Sequence, residues 1–468
     1  MVNKKLKILL LSVSSTSFFY EQLVIPFGLV SIASYVDNHD YEIKGIEMNH
    51  PPQSIMNRYL RDDKEIMDQI REFEPDLIAM STYATNMYNV LFWADLIKKK
   101  LPKVFIVVGG NHISYIAEEC LRKCMGINAV IRFEGEIPFK MLCEKLHNGD
   151  MDLSDIPSLS YLSGDKYIEN PQAEPISDLN YLPILNRTYF TEHQSPEEVN
   201  HADMISARGC PFNCTFCNCN HYWNKRHRTR SIDSVIEELK ILRERHPLET
   251  VRFRDEAITL NKKHCIEICN EIVKNNIHLK FQAHSRLDGL DEEVIQALSK
   301  AGFTTLYIGI ESGSTEVLDR LKKGIDISRL ETVILLLRQY GISFRLSFMS
   351  ATPEENIGKT LKTVRLIRRL KLRRDEYYLG YGVDIYPGTG ECERFMELNP
   401  GYQWISKKSK LNGKYLCVRD HEGNVIQPKY REYGLISVAL IYFLLRPSYF
   451  LEKVMALSTK VFKRIFRG

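Results

Sequence analysis

Five short apolar runs, LKILLLSV (6 to 13), YEIKGIEM (41 to 48), PDLIAMSTYA (75 to 84), VFIVVGG (104 to 110) and AVIRFEG (129 to 135), recur through residues 1 to 150 with helical stretches between them. Strand, helix and strand within about 30 residues need a crossover rather than a hairpin, so the runs pair in parallel through right-handed connections. The expectation is a doubly wound, Rossmann-like α/β sheet whose ligand lies beyond the C-terminal strand ends. The loops at those ends read VVGGNH (Gly109, Gly110, Asn111, His112) and FEGEIPF (Glu134, Gly135, Glu136). Glycine there lets backbone approach a ligand closely, or simply makes a tight turn.

Residues 151 to 195 break the rhythm with a stretch rich in Pro, Ser, Asn and Asp, which marks a connecting segment. Alternation resumes over 196 to 395, with candidate strands DMISARG (203 to 209), TVRFRDEA (250 to 257), KFQAHSRL (280 to 287), TLYIGIES (305 to 312), SFRLSFM (343 to 349) and YLGYGVDIYP (378 to 387). Between the first two, Ile232, Val235, Ile236, Leu239 and Leu242 stand at helical spacing and mark one buried face. Six such units describe a partial (β/α)6 barrel with its site at the C-terminal strand ends. Residues 396 to 468 are left as a small, mainly helical C-terminal region with a basic tail.

With 468 residues, 44% apolar and 26% charged, the chain is long enough for two or three globular domains, and disorder is excluded. A net charge of +4 is too small at this size to point to nucleic acid. The N-terminus, MVNKKLKILLLSVSS, has an apolar run but no small-residue cleavage site after it, so a cytoplasmic protein is expected. In a reducing compartment the eleven cysteines are not a disulfide framework, and a tight group of them binds metal or does redox work.

Such a group is ARGCPFNCTFCNCN, residues 207 to 220. Cys210, Cys214 and Cys217 fall just beyond the first barrel strand, at the rim where loops build sites. Zinc normally takes four ligands, often as two separated CxxC pairs, and no second pair is present to complete such a site. Three thiolates on one loop can instead hold three irons of a 4Fe-4S cluster and leave the fourth open. Spacing by itself leaves zinc and coincidence in play. Pro211 and Asn213 would shape the loop, Phe216 would shield the cluster, and Cys219 fits no cluster spacing.

CxxxCxxC with an aromatic residue before its last cysteine resembles the radical S-adenosylmethionine (SAM) superfamily, and further segments agree in order. FRDEAIT (Asp255, Glu256) is similar to the acidic segment that receives the amino group of SAM, and AHSRLDGL (Ser285, Arg286) to the segment near its ribose and carboxylate. YIGIESGS (Gly309, Glu311) resembles the motif along the adenosyl moiety. With Phe216, these are the SAM contacts that the resemblance implies. SFMSATPEEN stands where relatives usually read FMIGLPGET; its glycines are missing. DIYPGTG resembles the end of the last strand, which places Tyr386 near substrate.

The N-terminal runs, in order, resemble the cobalamin-binding domain of one branch of the superfamily. That likeness implies cobalamin contacts from Ser12, Ser81, Thr82, Gly109, Gly110, Asn111, Glu134, Gly135 and Glu136. The DxHxxG motif that brings histidine to cobalt elsewhere is absent, since the position reads SVSSTSFF, and a lone loop histidine such as His112 is more often a surface or supporting residue. The implied enzyme uses a 4Fe-4S cluster, SAM and cobalamin. It cleaves SAM to a 5′-deoxyadenosyl radical and methylates an unactivated carbon, with Glu256, Glu311 and Arg286 orienting SAM. Alternatives are a cyclase or ring-contracting enzyme and a non-catalytic cobalamin-binding or membrane-associated scaffold. A tRNA methylthiotransferase would need three further cluster cysteines in its N-terminal domain; Cys120 and Cys124 stand at helical i, i+4 spacing and, with Cys143, do not supply them. An electron donor such as flavodoxin or ferredoxin and a small-molecule or lipid-like substrate complete the implied set.

Eight Lys or Arg in KTLKTVRLIRRLKLRRDE (359 to 376) fit a solvated helix face rather than a nucleic-acid site. At the C-terminus, a 12-residue apolar run (434 to 445) is too short to span a bilayer. The basic tail after it fits either a helix lying on the inner face of an anionic membrane or one packed on the barrel with its charges outward.

Overall fold

The computed structural model describes residues 4–13, 26–48, 63–193, 201–245, 248–405, 415–419 and 425–430. Strands β1 (Leu6–Ser12), β2 (Tyr41–Glu47), β3 (Leu77–Ser81), β4 (Phe105–Gly109) and β5 (Ala129–Ile131) pair in parallel. β6 (Leu159–Ser163) and β7 (Lys166–Glu169) extend the β5 edge antiparallel, giving the order β2-β1-β3-β4-β5-β6-β7. The order reverses at β1 and β3, which opens the crevice where such sheets take ligands. Leu9 and Leu11 pack into one core and Ile8 and Leu10 into the other. Helices thus cover both faces, which is why β1 reads as an unbroken apolar run. β6 and β7 fall within the stretch read as a connector, so that segment completes the first sheet.

The second sheet begins with β8 (His201–Met204). The chain then leaves it, and β9 (Ala207–Arg208) pairs antiparallel with β10 (Arg228–Thr229), so DMISARG is two strands rather than one. β11 (Thr250–Phe253), β12 (Lys280–Arg286), β13 (Phe303–Glu311), β14 (Ser343–Ser350) and β15 (Tyr377–Tyr381) follow in order, each parallel to the last. Six strands in this order, with no ladder between β15 and β8 among the described residues, form a partial barrel. Val235, Ile236, Leu239 and Leu242 of the helix Ile232–Arg245 are buried against it, as their spacing predicts.

A third, antiparallel sheet holds β16 (Val383–Asp384), β17 (Tyr415–Arg419) and β18 (Val425–Tyr430). Where a mainly helical C-terminal region is expected, the described residues after 396 thus include two strands. Lys359 and Lys362 of the basic helix Ile357–Arg369 pair with Glu316. Residues 434–468, the tail weighed for membrane contact, lie outside the described residues. Among the described residues, no helix is long and apolar enough to cross a membrane.

Candidate functional site

The cysteine loop is entered through Gly209, at φ +97°, where a Cβ atom would sit 1.8 Å from the Arg226 carbonyl oxygen. Only glycine fits there. The loop is stitched to the barrel by the Thr215 N–H, which donates to the Leu321 carbonyl at 3.0 Å, and by the Glu391 N–H, which donates to the Thr215 carbonyl at 2.9 Å. Cys214 is buried, and Cys210 and Cys217 are half-buried. Burial pushes the Cys210 and Cys214 thiols up, while the Lys323 and Arg286 cations pull Cys214 the other way. The Cys219 thiol hydrogen-bonds Cys217 and brings it down to about 7. Two cations facing three thiols suit an anionic cluster. Among the described residues, no three His, Cys, Asp or Glu side chains gather closely enough to chelate one metal ion. The thiolates of a cubane each take a different iron and stand further apart.

The ends of β11, β12 and β13 converge on this loop. Arg286 lies 3.4 Å over the Phe212 ring and donates to Asp288 at 3.0 Å and to the Lys323 carbonyl at 2.8 Å. Lys323 stands 5.9 Å from the Phe216 ring and donates to Glu311 at 2.8 Å, with both partners buried. Glu311 sits at φ +70°, a strained conformation for a residue with a side chain, at the bulge that ends β13. A Cβ on Gly309 would lie 2.6 Å from its carboxylate, so that glycine makes room for the ion pair. Glu256 accepts from the Gly209 N–H at 3.0 Å, and burial pushes its carboxyl up.

Asp255 and Ser285 are buried at the same strand ends. Asp255 is 2% exposed and accepts the Ser206 N–H at 2.7 Å and the Ser206 hydroxyl, while Ser285 shares a 2.8 Å hydrogen bond with Thr259. Both oxygens of Asp255 and the Ser285 hydroxyl are thus engaged by neighbouring groups of the rim. The loop that lacks the family's glycines keeps a glycine-like path: Ala351 and Glu354, at the two glycine positions of FMIGLPGET, have φ +58° and +62°.

A cavity of about 310 Å³ opens at the C-terminal ends of β3, β4 and β5. Gly28, Ser81, Gly109, Gly110, Asn111 and Gly135 line it from the first sheet, and Arg208, Cys219, Tyr222, Trp223 and Glu256 close it from the barrel. Its walls are mainly apolar, and four glycines leave backbone open to a ligand. Such a cradle fits part of a large cofactor. Ser12 and Thr82 are off this wall: Ser12 donates to Glu47 at 3.0 Å and Thr82 to the Gly109 carbonyl at 3.0 Å. Glu134 and Glu136 line it, but their carboxylates are held by Arg208 and Arg228 from the barrel. His112 is neither at the surface nor on the cavity wall. It is buried edge-on to Trp404 at 5.9 Å, and burial lowers it to about 4. Tyr386 is half-buried, and its carbonyl accepts the Thr389 hydroxyl at 2.8 Å. Cys120, Cys124 and Cys143 are buried in the first domain's cores.

Sequence reasoning missed Ser206, Trp223 and Lys323, and missed the arginines in this seam. Only Arg208 carries a hint, since it lies inside the cysteine motif.

The Radical SAM superfamily model matches residues 204–367, and the B12 binding domain model matches residues 20–142. An uncharacterized methyltransferase of Pyrococcus horikoshii is 28% identical over 95% of this chain and 93% of its own. Cytidylyl-2-hydroxyethylphosphonate methyltransferase of Streptomyces wedmorensis is 25% identical over 77% of this chain and 76% of its own. Among solved structures, the radical S-adenosylmethionine methyltransferase TsrM from Kitasatospora setae, with cobalamin and a 4Fe-4S cluster bound, superposes with a TM-score of 0.78 at 16% identity, covering 95% of this chain and 92% of that one.

Proposed function

The chain belongs to the radical SAM enzymes that carry an N-terminal B12-binding domain, and from that premise we propose that it cleaves SAM reductively and uses the 5′-deoxyadenosyl radical to modify an unactivated carbon of a small molecule, by methyl transfer. One observation carries this reading: cavity and cysteine motif share a loop, since Cys219 lines the first sheet's cavity and Cys217, two residues earlier, belongs to the motif. When bound, the cluster supplies an electron at low potential and cobalamin supplies a methyl carrier.

In this reading Cys210, Cys214 and Cys217 hold three irons and leave one open to SAM. Glu256 and Glu311 receive its ammonium group, and Arg286 neutralises its carboxylate. Gly309 leaves the strand edge bare beside them, and Asp255 and Ser285 fix the rim. The first sheet and the barrel exclude water from the radical, and substrate lies near Tyr386. Gly109, Gly110, Asn111 and Gly135 contact cobalamin. Reduction comes from a flavodoxin- or ferredoxin-type donor, the enzyme works in the cytoplasm, and a membrane-facing 434–468 would match a lipid-like substrate.

The test is anaerobic reconstitution with iron, sulfide and hydroxocobalamin, followed by SAM and a strong reductant. We expect 5′-deoxyadenosine that disappears in Cys214→Ala, retained cobalamin, and S-adenosylhomocysteine as a second product. Cleavage and retained cobalamin without S-adenosylhomocysteine would move the assignment to ring closure or rearrangement. Absence of both cluster and cleavage would leave a scaffold.

A further inference from the structure

Four buried charges close the seam between the two sheets. Arg208, two residues before Cys210, stands opposite Arg228 in the β9–β10 ribbon. Both guanidinium groups reach into the loop after β5. Arg208 pairs with Glu136 at 2.7 Å and Glu134 at 3.4 Å, and Arg228 pairs with Glu134 at 2.7 Å. Each of the four side chains is at most 9% exposed. Ser31, on the helix Phe27–Val36 that follows β1, donates to Glu136 at 2.7 Å and accepts from Arg208 at 3.0 Å. The Trp223 ring lies 5.7 Å from the Arg208 guanidinium and 5.6 Å from that of Arg228. The residue after Arg208, Gly209, donates to Glu256 at 3.0 Å. A continuous polar path therefore runs from the first helix to the rim where SAM is assigned.

Neither domain needs these charges to fold, because the barrel has one apolar core of its own and the first sheet another, while a third is shared, with Val383, Ile385 and Phe395 packed among first-sheet residues. Buried ion pairs add little net stability, but their geometry is strict, and their best-attested use is to fix register. Here the register in question is that of the first sheet's cavity against the cysteine loop. Resting on the function proposed above, we propose that Arg208, Arg228, Glu134 and Glu136 form a register clamp that sets the position of the bound cobalamin relative to the cluster. They are positioning residues rather than catalytic ones. In one methylation, two SAM molecules and two electrons from the low-potential donor yield one methionine, one 5′-deoxyadenosine and one S-adenosylhomocysteine. One hydrogen atom leaves the substrate carbon for the 5′ carbon, and a bond to the methyl group replaces it. The clamp governs whether the two SAM reactions meet at one place.

The experiment uses the full chain, reconstituted with cluster and hydroxocobalamin and reduced to the paramagnetic cluster and cob(II)alamin. Pulsed electron spin resonance then reads the distance distribution between the two centres. Wild type should give one narrow distance. Arg228→Lys, off the cavity wall, keeps the charge but loses the two-pronged grip on Glu134; it should keep both cofactors and 5′-deoxyadenosine formation from SAM alone, but widen the distribution at least twofold and slow S-adenosylhomocysteine formation at least fivefold. An Arg228→Lys protein with both cofactors and wild-type distance and rates overturns the clamp. If that variant does not fold, Arg228→Gln, which keeps one donor toward Glu134, is read the same way. A partial widening supports the clamp, and a wild-type distribution overturns it. Failure of the function itself looks different: wild type would then retain no cobalamin or make no 5′-deoxyadenosine.

Discussion

Asp255 is a buried acid whose ionisation should be visible in the stability of the chain. Burial pushes its carboxyl from the ordinary 3.8 up to about 7, against the pull of hydrogen bonds from Ser206, and the Glu256 charge adds to the rise. In the unfolded chain the same group ionises near 3.8. Between those two pH values the folded state holds a proton that the unfolded state has lost, so stability falls as pH rises through the window and stays low above it. A difference of about 3 pH units corresponds to about 4 kcal/mol, of which about 2 to 3 kcal/mol develops between pH 5 and pH 8. Asp255→Asn removes this dependence while keeping the local hydrogen bonds, since the amide oxygen can accept the Ser206 N–H and the amide N–H can donate to the Ser206 hydroxyl. Denaturant unfolding of both proteins across this range should show the variant's advantage growing by that amount toward high pH. A gap that stays constant would refute a raised carboxyl. SAM cleavage should survive the substitution, because both Asp255 oxygens are engaged by Ser206 and the amide keeps those contacts. Its loss, with stability unchanged, would move Asp255 into the SAM site.

Lys323→Met leaves the buried Glu311 carboxylate without its counter-charge and should cost about 3 to 5 kcal/mol in denaturant unfolding; a cost below about 1 kcal/mol would show that the pair is not buried in solution. Gly209→Ala forces a Cβ into the Arg226 carbonyl, and iron bound after reconstitution should drop several-fold while the first domain still takes up cobalamin. Ala351→Gly relieves a left-handed residue at φ +58° and should stabilise the chain by about 0.5 to 1 kcal/mol, read as a rise in unfolding midpoint; a fall would mean that the methyl group's packing outweighs the strain.

What could be read in the chain divides by distance along it. The inner strands of the first sheet are legible because burial on both faces leaves near-continuous apolar runs, and those of the barrel because buried and more exposed residues alternate, as in SFRLSFMS. The cysteine motif is legible because its three residues are close neighbours. β6 and β7 are missed because YLSGDKYIE looks like loop chemistry until an antiparallel edge is known to need it. Glu134 and Glu136 illustrate the harder case. Their place at the end of β5 is right for a ligand loop, yet their partners lie 72 to 94 residues further on. No period or spacing links such residues, and a net charge of +4 does not reveal that four charges cancel in one seam. Lys323 is hidden in the same way, among the lysines of an exposed-looking turn. The Ala351 loop shows the converse. Its glycines are missing, yet the backbone follows the glycine path, with Ala351 at φ +58° and Glu354 at φ +62°.

The contact between the two sheets is mixed: Val383, Ile385, Cys392, Phe395 and Trp404 pack into one of the first sheet's apolar cores, and the charged quartet stands apart from them. A cavity walled by both domains works only when its walls keep one alignment. Apolar contact holds the domains together, but it is non-directional, and neighbouring registers differ little in energy. The quartet supplies the direction. Exchanging buried ion pairs for apolar side chains is often neutral or stabilising, so the clamp contributes little to holding the seam shut. A small displacement, however, leaves four buried charges imperfectly paired and is strongly disfavoured. The reciprocal amide pair between Asn111 and Asn218, at 2.9 and 3.2 Å, adds a second directional contact across the same seam and ties the β4 loop to the residue after Cys217. Apolar packing thus closes the contact, and the directional polar pairs set its alignment.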